Sequence, residues 1–294
     1  MTKALDELLE LLDLEPIELN IFRGLSPDER RQRVFGGQVA GQALVAAGRT
    51  VEDDRRVHSL HAYFLRPGDP TVPILYTVDR IRDGKSFTTR RVVAIQRGKA
   101  IFNLAASFQV AEEGPAHEFP MPDVPDPESL PTMKERMEPF RDRLGDWYDR
   151  PHPMDFRYIT PTPLERGETG EPLPPRQQVW IRADGELPDD PLLHACVVTY
   201  ESDFTMLDTT LLPHGVSGWA DEGGLMMASL DHAMWFHRPF RADEWLLYDM
   251  DSPTTAEARG LARGTVYSRN GDLVVSVIQE GLLRPLRPPA AGRP

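Results

Sequence analysis

A primary amide stands on an otherwise apolar face near the C-terminus. In the last β-rich run, alternate residues are Leu273, Val275, Val277, Gln279 and Gly281. When the two halves of the chain are aligned on Gly98 and Gly271, Gln279 replaces Ala106. A buried amide needs hydrogen-bond partners, because each unsatisfied group costs roughly 1–3 kcal/mol. Gln279 is therefore a candidate functional residue, although a satisfied structural glutamine or one at an exposed strand end fits the pattern equally.

A carboxylate at the end of an apolar helix is the second candidate. Asp203 follows Cys196, Thr199 and Tyr200 at helical spacing. A carboxylate near a helix C-terminus meets the unfavourable end of the helix dipole, which raises its pKa unless hydrogen bonds compensate. Such a group suits a general base. A capping or surface role remains an alternative.

One helix is predicted ahead of the strands in each half. In the first half it spans Gly36 to Val51, and the small residues Gly37, Gly41 and Gly48 indicate close approach to another backbone. In the second half it runs from Pro191 to about Asp203 and is apolar on most sides, which is typical of a buried helix. Asp189 or Asp190 can cap it, and proline suits its first turn.

The two halves resemble each other. Ser59–Pro67 and Asp231–Pro239 share an aromatic pair followed by Arg-Pro. About 30 residues later, each half has a β-rich run interrupted by a glycine turn, at Gly98 and at Asn270-Gly271. This pattern predicts a duplicated domain of the α+β class, in which an antiparallel β-sheet wraps around a long buried helix.

Prolines mark the expected boundary between the copies. The chain has 28 prolines, and 14 of them lie between Gly114 and Pro175. Proline disfavours helix and sheet interiors, so most of this stretch is expected to be an extended connection, with a short helix at 133–147. The resulting division is a first domain at 1–113, a linker at 114–175, a second domain at 176–287 and a disordered tail at 288–294.

Composition excludes several classes of protein. The 294 residues carry a net charge of −13, which disfavours a nucleic-acid binder. The single cysteine, Cys196, excludes a disulfide framework and a cysteine-rich zinc site, and it fits a reducing compartment. The sequence shows no secretory signal and no apolar run of membrane-spanning length, so a cytoplasmic protein without a membrane span is expected.

Longer motifs resemble one known family. The segments concerned are Arg33–Leu44, Val57–Asp69, Arg82–Phe87, Leu230–Phe240 and Ile278–Gly281. Together they resemble the TesB-like, type II acyl-CoA thioesterases from about residue 15 to residue 285. The resemblance implies a tandem double hotdog fold, which agrees with the duplication and the buried helices.

The resemblance also implies an activity and a site. The family hydrolyses fatty acyl-CoA to free fatty acid and CoA, with a water oriented by an Asp, a Thr or Ser, and a Gln. Asp203, Ser229 and Gln279 match these positions; many members have Thr where this chain has Ser229. No cofactor, metal or covalent intermediate is implied, and the first domain is expected to be a non-catalytic scaffold.

Two other functions share this fold. One is a hydratase-like hotdog protein acting on enoyl-CoA, and the other is a non-catalytic acyl-CoA binding module. The complete Asp203, Ser229 and Gln279 set favours the thioesterase. Because hotdog sheets commonly pair edge to edge, a homo-oligomer is expected, either a dimer or a tetramer, with a medium-chain to long-chain fatty acyl-CoA as substrate.

Overall fold

The structure is a computed structural model that describes residues 2–27, 32–167, 170–216 and 225–285. The α-helices within these residues are α1 (Lys3–Leu12), α2 (Gly36–Gly48), α3 (Met133–Met137), α4 (Arg141–Leu144), α5 (Pro163–Gly167) and α6 (Pro191–Thr205). Short 3-10 turns follow some of them, including Met206–Thr210 after α6. The predicted disordered tail at 288–294 lies outside the described residues.

The strands form two sets that have the same order along the chain. The first set is β1 (Glu15–Glu18), β2 (Ile21–Gly24), β3 (Arg55–Phe64), β4 (Ile74–Asp83), β5 (Phe87–Gln96) and β6 (Lys99–Val110). The second set is β7 (Met154–Tyr158), β8 (Arg176–Ala183), β9 (Leu225–Ser229), β10 (Asp231–Phe236), β11 (Leu246–Ala256), β12 (Arg259–Ser268) and β13 (Leu273–Pro285). Both predicted glycine-turn hairpins are confirmed.

All of these strands join one antiparallel sheet. Its order is β1-β2-β4-β5-β6-β3-β10-β13-β12-β11-β8-β7, with β9 attached to β13. The two halves meet where β3 pairs with β10, with Tyr63 opposite Asp231 and Ser59 opposite Trp235. The order on one side of this junction mirrors the order on the other, so the α+β double hotdog and the duplication are confirmed.

The two long helices run antiparallel and touch at glycines. A Cβ atom added to Gly37 would lie 2.1 Å from the backbone oxygen of Tyr200, and one added to Gly41 would lie 3.3 Å from that of Cys196. At the far end, Gly48 faces the side chain of Leu192. The predicted close approach of α2 to another backbone is confirmed, and its partner is α6.

Both helices are buried by the sheet. Residues 37–47 of α2 are buried throughout, and in α6 Asp190 caps the N-terminus by accepting a hydrogen bond from the Leu192 amide. The thiol of Cys196 is fully buried within α6, and this burial raises its pKa well above the usual range. None of the described helices is long and apolar enough to cross a membrane.

The expectation of a largely extended linker at 114–175 is wrong at its C-terminal end. Residues Met154–Tyr158 form β7, which pairs with β8 as the edge of the sheet. The strand escaped detection because prolines stand on both sides of it and it is only five residues long. Between Pro127 and Trp147 the segment forms short helical turns, as partly predicted, and Glu128 in the first of them accepts a hydrogen bond from the indole N–H of Trp245 in the second half.

Candidate active site

The three residues singled out in the sequence come together around one carboxylate. The Nε2 of Gln279 donates a hydrogen bond to Oδ1 of Asp203 at 2.5 Å. The Oγ of Ser229 donates to the same oxygen at 3.2 Å. Because both donors use Oδ1, the other oxygen of Asp203 receives neither of these side-chain hydrogen bonds.

Gln279 points towards Asp203 because side chains along β13 alternate between the two faces of the sheet. It lies opposite Ala262 of β12 and shares its inward face with Val275 and Val277. Its side chain is fully buried, and its Oε1 has no hydrogen-bond partner among the described residues. Since an ionised carboxylate can only accept, the amide NH₂ must face Asp203, and the carbonyl oxygen is left as a free acceptor.

Ser229 is placed by a short strand that extends the sheet. It is the last residue of β9 and lies opposite Gly281 of β13, two residues beyond Gln279. Ser229 is half-buried, so its hydroxyl reaches Asp203 at the edge of the buried region. Strand parity alone did not predict this orientation; the family resemblance did.

The first half of the chain also contacts Asp203. The backbone N–H of Gly37, in the first turn of α2, donates a hydrogen bond to the carboxylate. A Cβ at Gly36 would lie 2.6 Å from Oδ2 of Asp203, so a side chain there would collide with the carboxylate. The helix N-terminus therefore stabilises the negative charge. The prediction assigned the chemistry to the second half and missed this backbone donor.

Burial and hydrogen bonding act on Asp203 in opposite directions. Burial raises its pKa to about 6, while the donors on Gln279, Ser229 and Gly37 hold the pKa below what burial alone would produce. The predicted direction of the shift is confirmed, but desolvation is the cause that the structure identifies. A carboxylate with this pKa is mostly ionised at neutral pH and is well suited to accept a proton.

A second carboxyl group lies two residues earlier on α6. Glu201 is buried, and neither of its oxygens has a hydrogen-bond partner among the described residues. Burial, assisted by the charge of Asp203, raises the pKa of Glu201 well above its usual range. Sequence reasoning missed it, because a single glutamate in an apolar helix gives no sign of whether it is paired.

A buried histidine also lies near Asp203. His232 is fully buried and its Nε2 lies 2.9 Å from Oγ of Ser202, the residue before Asp203. Burial lowers the pKa of His232 to about 4, so the ring is neutral near neutral pH. Among the described residues, no group of three or more His, Cys, Asp or Glu side chains is arranged to hold a metal ion.

Family models cover both halves of the chain. A model described as acyl-CoA thioesterase matches residues 151–282, and one described as acyl-CoA thioesterase N-terminal domain matches residues 26–109. The first match begins just before β7, which agrees with that strand belonging to the second half.

The similarity to individual relatives extends over nearly the whole length of the chain. The chain is 42% identical to human acyl-coenzyme A thioesterase 8, covering 93% of this chain and 88% of that protein. It is 38% identical to acyl-CoA thioesterase 2 of Haemophilus influenzae, covering 97% and 99%. The crystal structure of the acyl-CoA thioesterase II TesB2 from Mycobacterium marinum superimposes with a TM-score of 0.77 at 45% identity, covering 95% and 98%. With both halves matched and identities above 30% over most of its length, the chain belongs to the TesB-type acyl-CoA thioesterases.

Proposed function

We propose that the protein hydrolyses fatty acyl-CoA to free fatty acid and CoA, using a water activated by Asp203. Family membership supports the reaction. The observation that carries the mechanism is the pair of acceptors at the site, an ionised carboxylate beside Oε1 of Gln279, which has no hydrogen-bond partner in the described part of the chain. A water that donates one hydrogen to each acceptor has a lone pair left for attack on the thioester carbon.

The steps follow from this arrangement. The water oxygen attacks the carbonyl carbon while Asp203 accepts its proton. The tetrahedral intermediate then expels the CoA thiolate, which takes the proton back from Asp203. Ser229 and Gln279 act by holding the carboxylate and the water in position. Neither a metal nor a covalent acyl-enzyme is required for this sequence of steps, because a thioester carbonyl is electrophilic and the thiolate leaves readily.

The substrate is a fatty acyl-CoA, and we infer that its acyl chain is of medium to long length. We further propose that the protein acts in the cytoplasm, as its single buried cysteine is compatible with a reducing compartment.

A homo-oligomer, dimer or tetramer, is supported by the exposed edge of the sheet, where Ile17 of β1 and the adjoining Leu19 are 47% and 72% exposed. Light scattering of the purified protein tests this assembly.

Thiol release from palmitoyl-CoA tests the activity. The wild-type protein is expected to release CoA catalytically, and Gln279→Ala is expected to lose at least about 100-fold in kcat. The fold should survive this substitution, because Ala106 occupies the equivalent position of the first half. A binding module would release no thiol, and a hydratase would instead add water to an enoyl-CoA. Either result would replace the thioesterase proposal.

A further inference from the structure

A cavity of about 570 Å³ lies between α6 and the segment that connects the two halves. Its lining includes four aromatic side chains, Phe35, Tyr200, Phe204 and Phe156, which we call the floor, and Met133, Trp147 and Tyr148 of the connecting segment, which we call the wall. Its volume is within the usual range for small-molecule sites.

The floor is a continuous aromatic surface. The rings of Phe35 and Tyr200 are 5.1 Å apart, and those of Phe204 and Phe156 are 5.4 Å apart. Phe35 also lies 6.4 Å from Phe204, which joins the two pairs. Since Phe35, Tyr200 and Phe204 are only half-buried, they present apolar surface to the cavity.

This floor directly flanks the catalytic carboxylate. Tyr200 and Phe204 lie on α6 at three residues before and one residue after Asp203. Phe35 precedes Gly36, the residue whose Cβ would meet Oδ2 of Asp203 at 2.6 Å. The cavity is therefore lined by close chain neighbours of the carboxylate, although Asp203 itself is not among its lining residues.

The charged side chains at the cavity are largely paired with one another. Arg157 contacts Asp155 at 3.0 Å, and Lys134 lies 3.7 Å from Asp149. Such pairing reduces the net charge that these side chains present to a ligand in the cavity. An uncharged, flexible hydrocarbon fits an aromatic floor with a neutralised rim better than a charged group does.

We propose that this cavity binds the acyl chain of the substrate, and that the connecting segment, through Met133 and Trp147, determines which chain lengths are accepted. The inference rests on the proposed thioesterase activity and adds a role for a segment expected only to connect two domains. Each methylene that enters the cavity increases affinity roughly fourfold until the available space is filled.

Filling the cavity tests this assignment. Met133→Trp places a larger side chain in the wall, and Met121→Trp is the matched control. Met121 is a half-buried methionine of the same segment, but it packs against the cluster of Trp180 and Trp245 instead. Two readouts are needed: the ratio of kcat/KM for palmitoyl-CoA to that for hexanoyl-CoA, and the Kd of a non-hydrolysable thioether analogue of palmitoyl-CoA by calorimetry.

Met133→Trp should lower the palmitoyl-to-hexanoyl ratio at least tenfold and weaken the palmityl thioether at least tenfold, whereas Met121→Trp should change neither. Met133→Ala enlarges the cavity and should raise the palmitoyl-to-hexanoyl ratio. This variant replaces Met133→Trp as the test if the tryptophan variant fails to fold. The assignment is overturned if the Met133 variants keep the wild-type chain-length ratio and thioether Kd.

The thioether separates this inference from the activity on which it rests. Wild-type protein that binds the analogue with the expected Met133 dependence but releases no thiol would keep the cavity assignment and reject the thioesterase. If the wild-type protein hydrolyses palmitoyl-CoA but the Met133 substitutions change neither the chain-length ratio nor the thioether Kd, the thioesterase is kept and the cavity assignment is rejected.

Discussion

At the scale of single residues, the proposed chemistry depends on two opposing influences on the pKa of Asp203. Burial favours its protonated form, and three donors favour its ionised form. The result is a pKa of about 6, which leaves the group ionised at neutral pH and yet more basic than an exposed aspartate.

This balance determines how the rate depends on pH. Because Asp203 must be ionised to accept a proton, kcat/KM for palmitoyl-CoA should rise with pH, be half-maximal near pH 6 and level off above pH 7. Initial rates of thiol release from pH 4.5 to 8 measure this profile. A profile that is flat down to pH 4.5 would mean that Asp203 is not the group whose ionisation limits catalysis.

Glu201 is the opposite case, a carboxyl group with no compensating donor. Its oxygens are buried without partners among the described residues, so the folded protein keeps it protonated at a pH where the unfolded chain ionises it. An unfolded glutamate loses its proton above about pH 4.3. The folded state then binds more protons than the unfolded state, and the free energy of unfolding must fall as pH rises above that value.

Replacing this group should stabilise the protein at neutral and higher pH. Glu201→Leu should raise the free energy of unfolding by about 1–3 kcal/mol at pH 8, with a smaller gain at pH 5. Urea unfolding at both pH values measures the difference. Glu201→Gln, which cannot ionise, should lose the pH-dependent part while keeping a buried polar group. The same pH slope in all three proteins would show that Glu201 ionises freely in the folded state.

At the scale of elements, the contact between α2 and α6 holds the site together. Gly37 packs on the backbone of Tyr200, and its N–H also reaches Asp203. Helix packing and the electrostatics of the site are therefore coupled through one residue of the first half.

A methyl group at this contact should affect both stability and activity. Gly37→Ala places Cβ 2.1 Å from the Tyr200 oxygen and should destabilise the fold by about 2–3 kcal/mol. Gly41→Ala is the matched control, because its nearest atoms are 3.2 Å away and alanine has the better helix propensity. Urea unfolding measures both variants, and kcat should fall only in Gly37→Ala. Equal stability of the two would contradict the close packing.

At the scale of the whole molecule, the two copies share one sheet but are not equivalent. The pairing of β3 with β10 brings the N-terminus of α2 to the carboxylate near the end of α6. In the second copy, the carboxylate of Asp203 accepts hydrogen bonds from the hydroxyl of Ser229 and the amide of Gln279. The first copy has Ala106 in place of the amide, and it contributes a backbone donor.

Much of this arrangement was predictable from the sequence, because motifs repeat between the two halves and apolar residues alternate along the strands. The hairpin of β5 and β6 turns at Gly98, the Asp190 cap of α6 is a local signal, and so are the apolar residues of α2 and α6. The features that the sequence did not reveal depend on contacts between residues that are far apart along the chain. The strand β7 is hidden by flanking prolines, and the contact of Gly37 with Asp203 joins residues 166 positions apart (203 − 37). That Glu201 is buried with no hydrogen-bond partner among the residues described is visible only once the core is assembled.

We propose that Asp203 activates the attacking water. The most direct measurement compares kcat for palmitoyl-CoA in Asp203→Asn and in Glu201→Gln, the same carboxyl-to-amide change two residues apart on one helix. Asparagine still offers an oxygen to Gln279 and Ser229, so the site should keep its shape. We expect kcat to fall about 10²–10⁴-fold in Asp203→Asn and to change by no more than about threefold in Glu201→Gln. Turnover by Asp203→Asn within a few-fold of the wild-type rate would contradict it.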